Sequence, residues 1–380
     1  MVQPCPALPG AGRGMAERHI VNNHKTKDRT MKEIVEHFAI NGNILEIKPL
    51  GNGLINDTLL VKTDGPDNYV LQRINNAIFK DVELLQHNID CATAHIRRKG
   101  AMTLTFIPCK ETGKSYWFDG ESYWRVSVFI KDAYTFETVD PKYSYFAGKA
   151  FGNFEAMLAD IPDTLGETIP DFHNMELRAR QLKEAVAADP VGRMAEPEVQ
   201  AILADLKPFE EEMCKAERLY REGKLPKRIC HCDTKVNNMM FDKDGNILCV
   251  IDLDTLMPSF VFSDFGDFLR TAANTVAEDD PAVEKVGFKM DIFEAFAKGY
   301  LESARGFLLP IEIENLPYAA CLFPYMQAVR FFADYINGDT YYKIKYPEHN
   351  LVRTRNQVAL FHAALAKVPA MQACIAKCLA

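Results

Sequence analysis

One short predicted hairpin in the middle of the chain is flanked by carboxylate and amide side chains. The segment HCDTKVNN at residues 231–238 matches the pattern His-x-Asp-x-x-x-x-Asn, and IDLD at residues 251–254 follows the second strand. In an antiparallel hairpin centred near Gly245, residues whose numbers sum to about 490 lie opposite each other, which pairs Asn238 with Asp252. We therefore expect one amide oxygen and one carboxylate to converge there.

This pair of oxygen donors suits Mg²⁺, a hard cation that completes its shell with water and nucleotide phosphates. Asp233 precedes the pair and is left to accept the proton of a hydroxyl that attacks the γ-phosphoryl group of ATP. We expect Lys235 to steady the charge of the transferred phosphate. The alternative is that these residues serve only in caps and turns, which Asp and Asn favour. A metal-type Asp one hairpin later, with a β-rich region ahead, favours catalysis.

Three further polar residues near this hairpin are expected to support it. His231 is interpreted as a residue that fixes the backbone of the loop. Asp264 and Asp267 are expected to brace the loop that follows Asp252.

A glycine-rich turn lies between two predicted strands of the N-terminal region. It has the sequence LGNGLINDT at residues 50–58, and glycine permits close approach of the backbone to phosphates. A plain turn is the alternative, because Gly-x-Gly between strands is a weak signal by itself. With the motif at residues 231–238 further along the chain, we expect Gly51 and Gly53 to cover nucleotide phosphates. Asn56 and Thr58 would add side-chain donors.

Strand patterns dominate the chain before residue 132, and helix patterns dominate after it. The first part has predicted strands at Ile44–Pro49, Leu59–Thr63, Tyr69–Ile74, Ser115–Phe118 and Trp124–Ile130, and predicted helices at Met31–Ala39 and Asp81–Lys99. The second part has predicted helices at Tyr143–Leu158, Met175–Ala188, Pro197–Glu222, Asp291–Arg305, Pro317–Ile336 and Thr354–Lys367. This order predicts an α+β protein with a small β-rich lobe at residues 31–132 and a larger, mainly helical lobe at residues 133–380. Residues 1–30 lack apolar periodicity and are expected to form a disordered tail.

Composition argues against several classes of protein. At 380 residues with 48% hydrophobic residues, the chain is long enough for two packed lobes. Its 44 Lys and Arg against 52 Asp and Glu give a net charge of -8, which argues against nucleic acid as a partner. No apolar run approaches the roughly 18 to 20 residues that cross a bilayer, so we expect no membrane contact and a cytoplasmic protein.

Beyond these patterns, the chain resembles the superfamily of aminoglycoside phosphotransferases and choline kinases, which is related to the protein kinases. Within that superfamily it is similar to the N-acetylhexosamine 1-kinase family over about residues 40 to 365. The segments that carry the likeness are GNGLINDT, YVLQRIN, IPDFHN, HCDTKVNNMMFD, VIDLDTLMPSFVFSDFGD and RFFADYINGDTYYKIKYPEHNLVRTRNQ. The resemblance implies a bilobal fold like that of protein kinases, with ATP and Mg²⁺ as cofactors.

The resemblance also implies an activity and the roles of individual residues. That family uses ATP to phosphorylate the anomeric hydroxyl of N-acetylglucosamine or N-acetylgalactosamine, so a sugar 1-phosphate product is implied. Asp233 would be the catalytic base, and Asn238 and Asp252 would hold Mg²⁺. The segment 124–129, including Val128, would be the hinge that offers backbone groups to adenine.

One position departs from the general kinase pattern. The strand that usually carries a phosphate-pairing Lys has Gln72 there, followed by Arg73. Either Arg73 supplies the cation or the site relies on backbone donors and Lys235, and strand alternation cannot decide between them without a register. A nucleotide-binding pseudokinase that works as an interaction module is the corresponding alternative function.

Candidate acceptor residues follow in the last predicted helices. Sugar recognition needs planar hydrogen-bonding groups and an aromatic face. The candidates are Arg330, Asp334, Tyr335, Asp339 and Tyr341, with His173 from the segment IPDFHN. An ordinary ion pair between Arg330 and Asp334, four residues apart on a helix, is the alternative for those two, and capping or packing is the alternative for His173. Choline, homoserine or an aminoglycoside remain alternative acceptors for the kinase.

Overall fold

The computed structural model describes residues 31–50, 56–136 and 139–380. The strands are β1 (Ile44–Pro49), β2 (Asp57–Thr63), β3 (Tyr69–Ile74), β4 (Phe106–Ile107), β5 (Trp117–Phe118), β6 (Tyr123–Val128), β7 (Arg228–Cys230), β8 (Met239–Phe241), β9 (Ile247–Val250) and β10 (Met257–Ser259). The α-helices are α1 (residues 31–36), α2 (Val82–Arg98), α3 (Pro141–Leu158), α4 (Met175–Ala188), α5 (Pro197–Leu206), α6 (Glu210–Met213), α7 (Lys215–Arg221), α8 (Phe262–Ala272), α9 (Met290–Ala304), α10 (Pro310–Glu314), α11 (Leu316–Ile336), α12 (His349–Leu365) and α13 (Val368–Leu379). The predicted α+β class is confirmed, with an antiparallel sheet in the N-terminal region and helices in the C-terminal region. The predicted tail at residues 1–30 lies outside the described residues.

Contacts divide the chain into two compact units. One contains the described residues up to Asn75 together with Phe106–Phe129, and the other contains Asn76–Thr105 and Ile130–Ala380. Helix α2, which the sequence analysis assigned to the β-rich lobe, therefore groups with the helical unit. The reason is that one face of α2 is buried against α3 and the segment around Leu253.

The β-rich unit is built on an antiparallel sheet in the order β1-β2-β3-β6-β4, with β5 also paired to β6. Alternation along β3 buries Tyr69 and Leu71 and leaves Val70 and Gln72 less buried, as expected for a strand with one face on a core. The same core includes Val61 from β2. The pairing register of these strands therefore follows from their alternation of apolar and polar residues.

Helix α3 packs on α9 at very short range because glycines lie where the two backbones meet. A Cβ added to Gly148 of α3 would lie 2.1 Å from the carbonyl oxygen of Phe296, and one added to Gly299 of α9 would lie 2.1 Å from the carbonyl oxygen of Tyr145. No side chain fits at such a separation, so this pair of helices requires glycine at both positions.

Gly299→Ala is expected to lower the free energy of unfolding by about 2 kcal/mol, because the added methyl group pushes the α3 backbone away. Gly306→Ala is the matched control, since nothing lies within 4 Å of the Cβ that it adds. Urea denaturation of both variants measures the difference. Equal unfolding midpoints for the two variants would contradict the close packing.

Helix α11 is the centre of the helical unit and contacts α4, α8 and α12. Among the described residues no single helix has both the length and the apolar character to cross a bilayer. Helices α12 and α13 meet both criteria only when taken together, and they are bent by 57° where they join.

Several predicted boundaries were wrong. The single helix predicted at Pro197–Glu222 is divided into α5, a 3-10 turn at Lys207–Phe209, α6 and α7, because Pro208 lacks the N–H that would continue the helix. Helix α12 begins at His349, five residues before its predicted start at Thr354. Helix α8 was missed, since Gly266 and two Asp residues within eleven residues lower its apparent helical propensity.

Candidate active site

The predicted hairpin is present as β8 and β9, but its register differs by one residue from the prediction. Met239 pairs with Val250, and the Ile251 amide donates to the Asn238 carbonyl at 2.9 Å. Asn238 is therefore opposite Ile251, and Asp252 is the next residue along. The difference arises because the turn is centred on Asp244, where the Asp242 N–H donates to the Asn246 carbonyl at 2.9 Å, and a β-bulge between Met240 and Phe241 then sets the register of the strands.

The turn itself is held by one carboxylate. Asp242 accepts hydrogen bonds from the backbone N–H groups of Asp244 and Asn246, both at 2.8 Å, and Gly245 has a φ of 83°. This arrangement is typical of Asx turns, in which Asp and Gly are favoured. Local turn chemistry thus fixes the hairpin that carries the site.

Asp233, Lys235 and Asn238 lie together at the start of the hairpin. The Lys235 ammonium is 2.7 Å and 2.8 Å from the two Asp233 carboxylate oxygens. The Asn238 Nδ2 donates to the Asp233 carbonyl at 2.8 Å, which directs the Asn238 Oδ1 away from that carbonyl. The structure therefore brings together the predicted base, the predicted cation and one predicted metal ligand.

Lys235 lies among three acidic side chains. Burial lowers the pKa of its ammonium, but the charges of Asp233, Asp267 and Asp252 outweigh that effect and raise the pKa overall. Burial raises the pKa of Asp267 to about 6, and the nearby Asp233 contributes to the rise while Arg270 opposes it. Asp233, Asp252 and Asp267 thus form an acidic cluster around the positively charged side chain of Lys235.

Asp252 has the left-handed backbone conformation, with a φ of 59°, and its side chain is exposed. Asn238 lies directly before β8 and Asp252 lies two residues after β9, so both residues flank the same end of the hairpin. The Asp252 carboxylate and the Asn238 Oδ1 are hard oxygen donors, which a divalent cation such as Mg²⁺ prefers. These two residues are the ones that would hold such an ion.

The loop before the hairpin is anchored by Asp264 on α8. Both carboxylate oxygens of Asp264 accept backbone N–H groups, from His231 at 2.8 Å and from Cys232 at 2.7 Å. The Thr234 hydroxyl donates to the Asp264 carbonyl at 2.8 Å. Cys232 has a φ of 62°, so these bonds hold a conformation that is unfavourable for a residue with a side chain.

His231 fixes the same loop from the other side. Its Nε2 donates to the Ile251 carbonyl at 2.8 Å, and the backbone N–H of Asp233 donates to its Nδ1 at 3.3 Å. Because a carbonyl only accepts, the proton of the neutral ring is on Nε2. These contacts give His231 the loop-fixing role that the sequence analysis assigned to it.

In the β-rich unit, Gln72 joins two neighbours on its face of the sheet. Its Nε2 donates to the Thr58 hydroxyl at 3.2 Å, and Arg125 donates to its Oε1 at 3.0 Å. Arg73 points to the other face, where its guanidinium pairs with the exposed Asp57. Arg125 is a buried cation directly across the sheet from Gln72. Sequence reasoning missed it because the pairing of β3 with β6 is not visible in the sequence.

The remaining nucleotide candidates of the N-terminal region are placed as follows. Asn56 is buried and accepts the backbone N–H of Asn75 at 2.9 Å. Val128 ends β6 and pairs with the first residue of β3. Gly51 and Gly53 lie outside the described residues, so their predicted role stays a prediction.

Two of the predicted acceptor residues meet around one aromatic ring. The Arg330 guanidinium lies over the rings of Phe172 and Tyr342, at 5.8 Å and 5.7 Å from their centroids. The His173 ring stacks on Phe172 with centroids 4.3 Å apart. Arg330 also donates to Gln327 at 3.3 Å. Within the described residues it forms no ion pair with Asp334, which was the alternative to sugar contact.

Arg178 completes this cluster and was missed by sequence reasoning, which assigned its helix no role. Burial, and then the charge of Arg330, lowers the pKa of Arg178 to about 10. Burial, and then the charges of Arg330, Arg178 and Arg270, holds the pKa of His173 well below its usual value. Within the described residues, the Arg178 Nε and the His173 Nδ1 are buried without hydrogen-bond partners. In the part of the chain that the structure describes, neither Arg178 nor Arg330 forms an ion pair with a carboxylate.

Asp334, another predicted acceptor residue, is used within the protein. It is 5% exposed, and its carboxylate accepts the backbone N–H groups of Thr340, Tyr341 and Tyr342 at 3.0, 2.8 and 3.0 Å. It also accepts the Asn350 amide at 2.8 Å. Asp334 therefore closes the loop after α11, which leaves the side chain of Tyr341 74% exposed.

Tyr335 and Asp339 have structural contacts as well. The Asp339 carboxylate pairs with Arg193 at 2.6 Å, and the Arg193 guanidinium lies 3.9 Å from the centroid of the Tyr335 ring. The Tyr335 hydroxyl donates to Glu196 at 3.0 Å. These contacts fix the segment before α5 against the end of α11, and we do not retain either residue as an acceptor ligand.

Solved structures with the same fold include several small-molecule kinases. An aminoglycoside phosphotransferase from Alicyclobacillus acidocaldarius superposes with a TM-score of 0.60 at 11% identity, covering 91% of this chain and 96% of that one. A choline kinase from Streptococcus pneumoniae gives 0.53 at 15% identity, covering 90% and 99%. An amicoumacin kinase in complex with AMP-PNP and Ca²⁺ gives 0.57 at 12% identity, covering 90% and 96%. The model of the phosphotransferase enzyme family matches residues 46–301. This match extends over well more than half of the sequence, and the chain therefore belongs to the phosphotransferase enzyme family.

Proposed function

We propose that this protein uses ATP to phosphorylate a hydroxyl group of a small sugar, and that the acceptor is the anomeric hydroxyl of an N-acetylhexosamine. The observation that carries the proposal is the position of the Asp233 carboxylate, held by Lys235 and next to Asn238. A carboxylate that lies beside the metal-type ligands without being one of them is what a phosphoryl transfer to an alcohol requires.

The proposed reaction uses these residues in a single displacement. The acceptor oxygen attacks the γ-phosphorus, the bond from that phosphorus to the bridging oxygen breaks, and ADP leaves. The hydroxyl proton passes to the Asp233 carboxylate, which orients the hydroxyl before attack. Lys235, whose charge is preserved by its raised pKa, stabilises the negative charge on the transferred group.

Asn238 and Asp252 would hold Mg²⁺ through oxygen atoms, and the ion would neutralise phosphate charge when bound. The related amicoumacin kinase was solved with AMP-PNP and Ca²⁺, which supports the use of a nucleotide and a divalent cation here.

Phosphate recognition in the β-rich unit is assigned to Gln72 and Arg125, together with Gly51, Gly53, Asn56 and Thr58. Arg125 replaces Arg73 as the proposed cation, because the Arg73 head group pairs with Asp57 on the other face of the sheet. Val128, at the end of β6, remains the proposed contact for adenine.

The arginine cluster discriminates between acceptors. Arg178 and Arg330 bring two positive charges close together, and in the described part of the chain no carboxylate pairs with either. Such a site repels choline and aminoglycosides, which are cations, and favours hydroxyl-rich neutral molecules or molecules with an acidic group. Arg270, which pairs with Asp267, connects this cluster to the region of Asp233. A carboxylate-bearing alcohol such as homoserine is therefore the second candidate acceptor.

Release of ADP across a panel of acceptors tests the proposal. We expect turnover with N-acetylglucosamine or N-acetylgalactosamine, and none with choline or kanamycin. Turnover with homoserine alone would replace the sugar by the second candidate. Binding of ATP without transfer to any acceptor would favour the pseudokinase alternative.

Arg330→Met is expected to raise the KM for the sugar about 10-fold to 100-fold, because it removes a charge-assisted hydrogen bond to the acceptor. The KM for ATP should change by less than about twofold, since the residue contacts the acceptor only. Arg355→Gln, at a partly exposed helix position paired with Glu198, is the control. A rise in the KM for ATP that equals the rise for the sugar would remove Arg330 from the acceptor site.

A further inference from the structure

Three buried side chains meet behind the catalytic loop, outside the residues that the proposed reaction uses. They are Glu155 of α3, Cys230 at the end of β7 and Asp264 of α8, and one carboxylate oxygen from each acid and the Cys230 sulfur lie within 4.8 Å of one another. Glu155 is 2% exposed, and the other two are fully buried. Asp264 is the residue that holds the backbone of the loop before Asp233.

The hydrogen bonds of this cluster leave one atom without a partner. Both oxygens of Asp264 accept backbone N–H groups of the loop. One oxygen of Glu155 accepts the Tyr300 hydroxyl. The other, Oε1, is fully buried, and within the described residues no donor reaches it. A buried carboxylate oxygen without a donor is costly, so this atom needs an explanation.

The charges in the cluster give that explanation. Two carboxylates this close, both removed from water, cannot both be ionised. Asp264 receives two backbone N–H groups that stabilise its negative charge, whereas Glu155 receives one hydroxyl. Of the two carboxyl groups, Glu155 is therefore the one that carries a proton. Its Oε1 is then an O–H group that can donate a hydrogen bond.

The groups that face Glu155 support this assignment. Burial is the main cause that raises the pKa of Glu155 well above its usual value, and the charges of Asp264 and Glu312 add to it. The other titratable groups around it are Tyr300, Cys230 and Arg228, and Arg228 is paired with Glu312. Among the described residues no Lys, Arg or His forms an ion pair with Glu155.

We infer that Glu155 is a neutral carboxylic acid that donates a hydrogen bond to Asp264, and that it acts as a positioning residue for the loop that carries Asp233. The donated hydrogen bond orients the Asp264 carboxylate toward the N–H groups of His231 and Cys232. A metal ion bound by Glu155, Cys230 and Asp264 is the competing explanation. It suits the cluster less well, because both Asp264 oxygens already accept hydrogen bonds and the site is sealed from water.

Thermal unfolding of Glu155→Gln as a function of pH tests the inference independently of any activity. Gln keeps a donor toward Asp264 and an acceptor for Tyr300, and its second N–H faces the weakly accepting sulfur of Cys230. Above the ordinary Glu pKa, the folded wild type keeps the Glu155 proton whereas the unfolded chain releases it. The free energy of unfolding of the wild type therefore falls as the pH rises toward the raised pKa that Glu155 has in the folded state. Gln does not titrate, so Glu155→Gln does not show this fall in stability with rising pH. Its Tm minus the wild-type Tm is therefore expected to increase by roughly 5 °C or more from pH 5 to pH 8.

A Tm difference that stays constant over this pH range would overturn the inference, because it means that Glu155 is ionised in the folded protein. Stoichiometric metal in the purified wild type that is lost in Glu155→Gln would overturn the inference in favour of the metal ion.

A second test measures activity and rests on the proposed function. Glu155→Leu should lower kcat at least about tenfold with little change in the KM for ATP, and Glu155→Gln should keep most of the wild-type kcat. An equal loss in both variants would contradict the positioning role. If no acceptor is phosphorylated at all, the proposed function fails and the Tm measurement still decides the state of Glu155.

Discussion

Asp233→Asn is expected to lower kcat by about 10³-fold and to leave the affinity for ATP within about twofold. The amide keeps the size of the side chain but cannot accept the proton of the attacking hydroxyl. It also removes the negative charge that holds Lys235. Steady-state ADP release gives kcat, and calorimetric titration of ATP gives the affinity.

Asp244→Asn is the control for this prediction, since Asp244 is an exposed turn residue of the same hairpin. The control should retain wild-type kcat. If Asp233→Asn kept kcat within about threefold of wild type, another group would have to be the base. Loss of ATP affinity together with kcat would instead indicate a damaged fold.

Asp264→Asn is expected to lower the free energy of unfolding by about 3 kcal/mol and to lower kcat strongly as well. The substitution replaces one of two acceptor oxygens by an NH2 group, which then faces the backbone N–H of His231 or Cys232. A buried N–H loses its partner, and the left-handed conformation of Cys232 loses part of what holds it. Urea denaturation followed by fluorescence measures the loss.

Asp205→Asn provides the comparison for Asp264→Asn. Asp205 pairs with His362 at the surface, where both side chains are about two-fifths exposed (42% and 40%), and such pairs contribute about 1 kcal/mol at most. We expect a change near zero for this control. Similar unfolding curves for the two variants would show that the Asp264 carboxylate does not hold the loop.

The hairpin and its flanking acids were predictable because they depend on local chemistry. A turn of the Asp-x-Asp-Gly type specifies the two short strands, and the strands bring residues 238 and 252 close. The exact partner of Asn238 was not predictable, because a β-bulge between Met240 and Phe241 next to a turn centred on Asp244 places Ile251, and not Asp252, opposite Asn238. Short strands do not fix a register by their apolar pattern alone.

Other members of the site depend on contacts between distant segments. Arg125 is found only when β3 pairs with β6, and Arg178 only when α4 packs beside α11. Glu155 and Asp264 are more than a hundred residues apart and meet only when α3 packs against α8. The sequence contains no local signal for such pairs. The opposite error occurred for Asp334, whose polar side chain was assigned to an acceptor but closes a loop.

The central claim is that Asp233 directs a sugar hydroxyl onto the γ-phosphorus of ATP. It is tested most directly by ³¹P NMR of a reaction that contains N-acetylglucosamine, ATP and Mg²⁺, with wild-type protein and with Asp233→Asn in parallel. We predict a new phosphate monoester signal that is split by the anomeric proton with wild type and is absent with Asp233→Asn. A monoester signal that is coupled to any other sugar proton, or that is equally strong with both proteins, would contradict the account.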